Sequence, residues 1–189
     1  MTTAHEIQIT VEITPNPNTL KFNVNKMLLE AGSIDFPTKE KSKESYLAAE
    51  IFGIGQVTGV LIGTTFVTVT KESDVRWEEI AQTLTEKLKT LLSSDKELFS
   101  SSLTPAAPVR NTADNEIEQK IRAILDSEIR PAVAMDGGDI VFYGYENGVV
   151  TLHLQGSCSS CPSSVMTLKM GVENRLKQSI PEIKEVVQV

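Results

Sequence analysis

Apolar residues recur at every second position near the start of the chain: Ile7, Ile9, Val11 and Ile13 alternate with Gln8, Thr10 and Glu12, the pattern of a half-buried strand. Pro15-Asn16-Pro17-Asn18 turns the chain, and Leu20, Phe22 and Val24 alternate again, which predicts a hairpin. Leu47 and Ile51, four apart, place a short helix over 43–52. The β-branched runs Val57 to Ile62 and Thr65 to Thr70, joined at Gly63-Thr64, predict a second hairpin. After Asp74, a candidate N-cap, Trp77, Ile80, Ala81, Leu84, Leu88 and Leu91 recur at helical spacing to about Leu92. Trp77 lies on that apolar face and reads as core.

Between about Ser93 and Ala113 the periodicity lapses: Ser93-Ser94-Asp95-Lys96-Glu97-Leu98-Phe99-Ser100-Ser101-Ser102-Leu103-Thr104-Pro105-Ala106-Ala107-Pro108 sustains neither a helical nor a strand repeat. This Ser/Pro-containing stretch reads as a linker, with Leu98, Phe99 and Leu103 able to dock on a neighbour. An amphipathic helix follows, capped by Asp114 or Asn115, carried by Ile117, Ile121, Ile124, Leu125 and Ile129, and limited by Pro131. Two strands, Ile140 to Tyr145 and Val149 to Leu154, flank the turn-forming Asn147-Gly148. A last helix begins at Pro162 with Val165, Leu168, Val172 and Leu176 as its stripe; Pro181 ends it, and Ile183 to Val189 supplies a final strand. The expected architecture is α+β: a first small domain over 1–95, the linker over 96–113, and a second small domain over 114–189.

A chain of 189 residues has room for two small cores, and 40% hydrophobic with 23% charged residues is a globular composition. Its apolar runs are too short to span a bilayer, so no membrane partner is expected. Eighteen basic against 25 acidic residues give a net charge of -7, and both halves share the acidic excess. Without clustered cations to hold a phosphate backbone, no nucleic-acid partner is expected either. The first arginine is Arg76, and the N-terminal residues show neither a basic cluster nor an apolar run before a cleavage site. A reducing interior follows as the default, a cytoplasm of bacterial type, although a processed mitochondrial form would present the same sequence.

Cys158 and Cys161 are the only cysteines. They lie in Gly156-Ser157-Cys158-Ser159-Ser160-Cys161-Pro162, between strand and helix, where a helix N-terminus favours the thiolate, the metal-binding and nucleophilic form. Gly156 and the small serines leave space for a group larger than one ion, or donate hydrogen bonds to its sulfur atoms. Four chemistries compete for the pair. A structural zinc site needs four ligands, and the pair falls one short even with His153. His153 shares a strand face with Val149 and Thr151, opposite Val150, Leu152 and Leu154, and reads as a plain, partly exposed histidine. His5 alone cannot hold a metal. A thioredoxin-like dithiol redox protein also places CxxC between strand and helix, but the second half lacks the βαβ opening of that fold. A disulfide or an inert buried pair is the bland alternative. Fourth, an iron–sulfur cubane is generally held by four thiolates; one chain brings two, and a two-fold dimer brings four. A cluster bridged at a loop exchanges ligands with incoming thiolates, which suits a carrier.

The run Leu154-Gln155-Gly156-Ser157-Cys158-Ser159-Ser160-Cys161-Pro162-Ser163-Ser164-Val165-Met166-Thr167-Leu168-Lys169-Met170-Gly171-Val172-Glu173, preceded by Met135-Asp136-Gly137-Gly138-Asp139, resembles the NifU-like C-terminal domain of Nfu-type iron–sulfur cluster carriers. The first half is similar to the Nfu N-terminal domain through Thr14-Pro15-Asn16-Pro17-Asn18-Thr19-Leu20-Lys21-Phe22, Ile51-Phe52-Gly53-Ile54 and Phe66-Val67-Thr68-Val69-Thr70-Lys71; the run Gly53-Ile54-Gly55-Gln56-Val57 departs from it. The resemblance implies that Cys158 and Cys161 ligate a 4Fe-4S cluster, with 2Fe-2S as the alternative, between the subunits of a homodimer. It also implies a carrier and not an enzyme. Such a carrier receives the cluster from an upstream assembly scaffold and transfers it to apo iron–sulfur recipient proteins, with the first half recognising clients or assembly proteins. The Asp136-Gly137-Gly138-Asp139 run is expected to serve as a turn and helix-cap element in preference to binding iron. The competing reading remains a dithiol redox protein using the same CxxC.

Overall fold

Alternating β-branched and aromatic positions build five antiparallel strands in the first half: β1 (Ile9–Ile13), β2 (Thr19–Val24), β3 (Ile34–Phe36), β4 (Val57–Ile62) and β5 (Phe66–Lys71). They form one sheet in the order β1-β2-β5-β4-β3. The computed structural model describes residues 6–94, 96–100, 103, 116–159 and 162–189, the last span without the side chains of 162–165. The expected β1–β2 and β4–β5 hairpins are both present. β1 is an edge strand that runs past the core, leaving Val11 42% and Ile13 90% exposed where a half-buried strand is expected.

Helices cover one face of this sheet. After α1 (Lys39–Ser42), α2 (Tyr46–Phe52) starts at Ser45, whose hydroxyl accepts the Ala48 N–H at 3.2 Å. α3 (Trp77–Ser93) follows Arg76, which makes no side-chain cap, so Asp74 does not hold the capping position. The start of α3 is anchored instead by Trp77: its ring packs at the edge of the core and its Nε1–H donates to the Pro17 carbonyl at 2.9 Å. Phe22, Leu47, Ile51, Val67, Leu84 and Leu88 are wholly enclosed between sheet and helices.

Leu98, Phe99 and Leu103 pack against this same core. The Leu98 carbonyl accepts both the Leu47 N–H and the Ser45 hydroxyl, which pins the start of the expected linker to the first body. Residues 101–102 and 104–113 of that linker lie outside the described residues. So do His5 and the candidate caps Asp114 and Asn115.

In the second half α4 (Glu116–Ile124) runs through a π-helical turn (Leu125–Ile129) into α5 (Arg130–Met135). Pro131 therefore does not limit the helix as expected. Proline lacks the N–H that a regular turn requires and its ring crowds the carbonyl four residues back; the wider turn just before it relieves both problems. β6 (Gly138–Glu146) and β7 (Val149–Gly156) form a hairpin, with Asn147 and Gly148 at φ 53° and 90° as a two-residue turn requires. α6 (Pro162–Ser179) then leads to β8 (Glu185–Gln188), which lies parallel to β7 and completes the order β6-β7-β8.

β7, α6 and β8 thus make a βαβ crossover, at the end of the unit and not at its opening. Glu173 ties its helix to its last strand. The carboxylate accepts Lys177 Nζ at 2.6 Å and the Val186 N–H at 3.0 Å, and these bonds, Lys177's first, hold its pKa below the ordinary value. A second, separate core gathers Ile121, Leu125, Ile140, Val150, Leu152 and Leu176. No helix among the described residues is long and apolar enough to cross a membrane.

Candidate functional site

The cysteine loop leaves the C-terminal end of β7, the central strand of its sheet, and enters α6. At that position the helix N-terminus presents unpaired N–H groups and partial positive charge, so the crossover gathers anionic groups there. Cys158 is 5% exposed and stands within the second core. Cys161, with Ser160, lies outside the described residues.

Glycines shape the space around Cys158. Gly156 has φ +65°, and a β-carbon there would fall 2.7 Å from both the Gly137 carbonyl and Leu61 Cδ2. Gly137, at φ +77°, turns the chain out of α5. A β-carbon on Gly138 would fall 2.7 Å from the Cys158 sulfur and 2.9 Å from the Gln155 carbonyl. The turn expected over 136–139 is therefore a turn, and it is also the wall against which the sulfur rests. That second role has no signature in a Gly-Gly pair read alone.

Two serines hold the loop. Ser157 N–H donates to the Gly137 carbonyl at 3.3 Å and its hydroxyl donates to the Asp136 carbonyl. Ser159 donates from both N–H and hydroxyl to the Gly156 carbonyl, at 3.2 and 2.8 Å. Their hydroxyls fix the backbone where the sequence suggests open donors, although Ser157 Oγ also lies 3.7 Å from the Cys158 sulfur.

Beside Cys158 a cavity of about 540 Å³ opens between α5 and α6, walled by Ile129, Val133, Leu168 and Val172 and by Pro15 and Asn16 of the first half. Its donor chemistry is that of the thiol, a soft ligand for iron or zinc. His153 takes no part. Its Nδ1 lies 2.6 Å from the Val189 carbonyl and its ring 5.7 Å from that of Tyr143. No three His, Cys, Asp or Glu side chains gather as a metal set among the described residues.

Asp136 closes α5 as its C-cap residue, and Asp139 is bonded to both halves of the chain. Asp139 accepts its own neighbour's N–H, that of Ile140, at 2.7 Å and pairs with Arg130 Nε at 3.3 Å. It also accepts the hydroxyl of Ser33, from the first half. Three further residues of that half reach the loop. Asn16 Nδ2 donates to the Ser157 carbonyl at 3.1 Å, and Lys21 Nζ donates to the Met135 carbonyl at the end of α5 at 3.3 Å. Asp35 is bonded by the Gly156 backbone, and burial pushes its pKa up to about 6 against the opposing pull of His153, Gly156 and Lys41; Asp139 adds to the rise. Asn16 and Ser157 are 141 positions apart. No local periodicity could have joined them.

Residues 9–95 match the family model described as scaffold protein Nfu/NifU N terminal, and residues 121–187 match the NifU-like domain. The chain is 41% identical over 182 residues to a Homo sapiens protein named NFU1 iron-sulfur cluster scaffold homolog, mitochondrial, covering 96% of this chain and 71% of that one. It is 42% identical over 186 residues to NifU-like protein 5, mitochondrial, of Arabidopsis thaliana, covering 95% and 67%. A solution structure of a NifU-like protein from Saccharomyces cerevisiae covers 54% of this chain and 92% of its own, at 28% identity and a TM-score of 0.47. The mitochondrial names of these relatives overturn the expected bacterial-type cytoplasm. An address peptide is read and removed apart from the folded body, so a body's composition carries no signal of its compartment. With both halves matched in order and most of its length shared, the chain belongs to the Nfu/NifU-like family of iron–sulfur cluster scaffold proteins.

Proposed function

We propose that Cys158 and Cys161 bind an iron–sulfur cluster as cargo, a 4Fe-4S cluster held between two copies of the chain, and that the chain delivers it to apo-proteins after receiving it from an upstream assembly scaffold. The role is carriage without catalysis, in the mitochondrion, where the named relatives reside. The single observation that carries this reading is stoichiometric. The chain has two cysteines and the cubane takes four thiolates, so each subunit brings half the set.

The Cys158 surroundings support it. The sulfur sits at the mouth of a strand-to-helix loop, with a glycine in place of any side chain behind it and a cavity in front. The proposed division of labour follows the domains 1–95 and 114–189 joined by 96–113, with the first as the recognition module and the second as the ligand module.

Anaerobic reconstitution with iron and sulfide tests the reading. The expected product is a dimer with about two iron atoms per chain. Cys158→Ala or Cys161→Ala is expected to abolish both cluster content and cluster-linked dimerisation. Cys158 stands in the second core, so alanine is the better probe there than serine, whose hydroxyl would be buried. Full cluster content in either variant, or catalytic disulfide cycling by a protein that takes up no iron, would sink it.

A further inference from the structure

Cross-strand partners in the five-stranded sheet line up as Glu12, Lys21, Thr68, Leu61 and Asp35, one residue from each strand. Facing partners share a face. This row is opposite the face covered by α2 and α3, and Leu61, although 1% exposed, belongs to neither hydrophobic core. In a lone unit the row would meet water. Here it meets the cysteine loop and the turn behind it: Lys21 on Met135, Thr68 against Gly137, Leu61 against Gly156, and Asp35 bonded by the Gly156 backbone. Asn16 and Ser33 add hydrogen bonds to Ser157 and Asp139 on either side of the row.

This contact is well fitted in shape and poorly satisfied in polarity. Thr68 Oγ1 and Gln155 Oε1 are buried with no hydrogen-bond partner. Lys21, 8% exposed, is served by the Met135 carbonyl at 3.3 Å, by Glu12 at 3.7 Å and by the Phe66 ring at 5.0 Å, whereas Asp35 is desolvated beside Asp139. Each unsatisfied group favours the separated state, where water serves it. A permanent core sheds such groups, whereas an interface that opens keeps them. Between Leu103, packed on the first core, and Glu116 lie twelve residues of sequence, enough to span up to ~40 Å when extended.

We infer that this sheet face is a reversible intramolecular docking surface for the cysteine loop, covering the Cys158 cavity in the cluster-free chain and competing with a second copy's loop for the same place. The competition half rests on the function proposed above. Pro15 and Asn16 form part of the cavity wall, so their withdrawal would widen the approach of a second chain's sulfurs to Cys158.

Thiol alkylation tests docking without any cluster. In full-length Cys161→Ser protein, Cys158 is the one remaining cysteine, and its modification by iodoacetamide is followed by intact mass. Two variants disturb the contact and spare both cores: Leu61→Ser, and Asn16→Asp combined with Ser33→Ala. Both are expected to speed alkylation about tenfold or more, as local opening does when its equilibrium is shifted. Urea midpoints measured alongside separate opening from unfolding. If Leu61→Ser lowers the midpoint, the hydrogen-bond pair variant decides. Unchanged alkylation in that variant, with the fold intact, overturns the inference. Faster alkylation in these variants, together with a wild-type chain that takes up no iron on reconstitution, leaves docking standing and removes the ligand assignment instead.

Discussion

The sulfur of Cys158 rests 2.7 Å from where a β-carbon on Gly138 would stand. The Gln155 carbonyl lies 2.9 Å from the same point, so neither side of the site yields freely. Gly138→Ala is therefore expected to overpack the turn, at a cost of ~1–3 kcal/mol in stability, and to displace the thiol. Urea unfolding checks the first effect, and iron per chain after reconstitution checks the second. Wild-type values for both would show that the turn absorbs a methyl group.

Gly148 closes the β6–β7 hairpin at φ +90°, with the Glu182 carbonyl 2.9 Å from its missing β-carbon. Alanine there meets both an unfavourable backbone region and a fixed oxygen. The expected loss is ~1–3 kcal/mol in the second unit, read as a lower urea midpoint for probes in residues 116–189, with Trp77 fluorescence reporting the first unit.

Leu88 on α3 is fully enclosed. Leu88→Ala removes its packing and leaves a void, expected to cost ~2–5 kcal/mol. The two cores share no residue. The loss is thus expected in the Trp77 transition first, with the second unit's transition moving only as far as docking couples them. Equal displacement of both would mean that the halves unfold as one.

Asp35 makes the contact between the halves pH-dependent. Released, it titrates near its ordinary 3.8; docked, at about 6, mainly because burial disfavours its charge, with Asp139 adding to this and His153, the Gly156 backbone and Lys41 opposing it. The docked form therefore holds the proton more tightly, and docking is strongest below 3.8, where both forms are protonated. It weakens as pH rises from 3.8 to about 6 and levels off above. Small-angle scattering across that range is expected to show the radius of gyration rising with pH, and Asp35→Asn to flatten the dependence. A rise that persists in Asp35→Asn would assign it to another group.

Much of this arrangement is legible in the chain because its periods are strong. The β2 alternation, the β-branched runs of β4 and β5, the α3 stripe and the Asn147-Gly148 turn all appear where local chemistry predicts them. Three features do not. β3 has three residues, too few to establish a period. The π-helical turn ahead of Pro131 depends on the packing of Ile121, Leu125 and Val133 into one core, which keeps the helix going where a proline ordinarily stops it. The approach of Asn16, Ser33 and Asp35 to the cysteine loop is a contact between segments far apart in the chain, which no local period joins. The cysteines themselves are conspicuous as the only pair, whereas the glycine that makes room for one of them is not.

The row that lies over the cysteine loop carries a lysine, a threonine, two acids and a single leucine, with the Phe66 ring beside it under the Lys21 ammonium. Such a mixture tolerates wetting. Were the halves to part, Leu61 and the Phe66 ring would be wetted as two apolar spots among polar neighbours and not as a broad slab, and a crowded solution of opened molecules would stay dispersed instead of clumping.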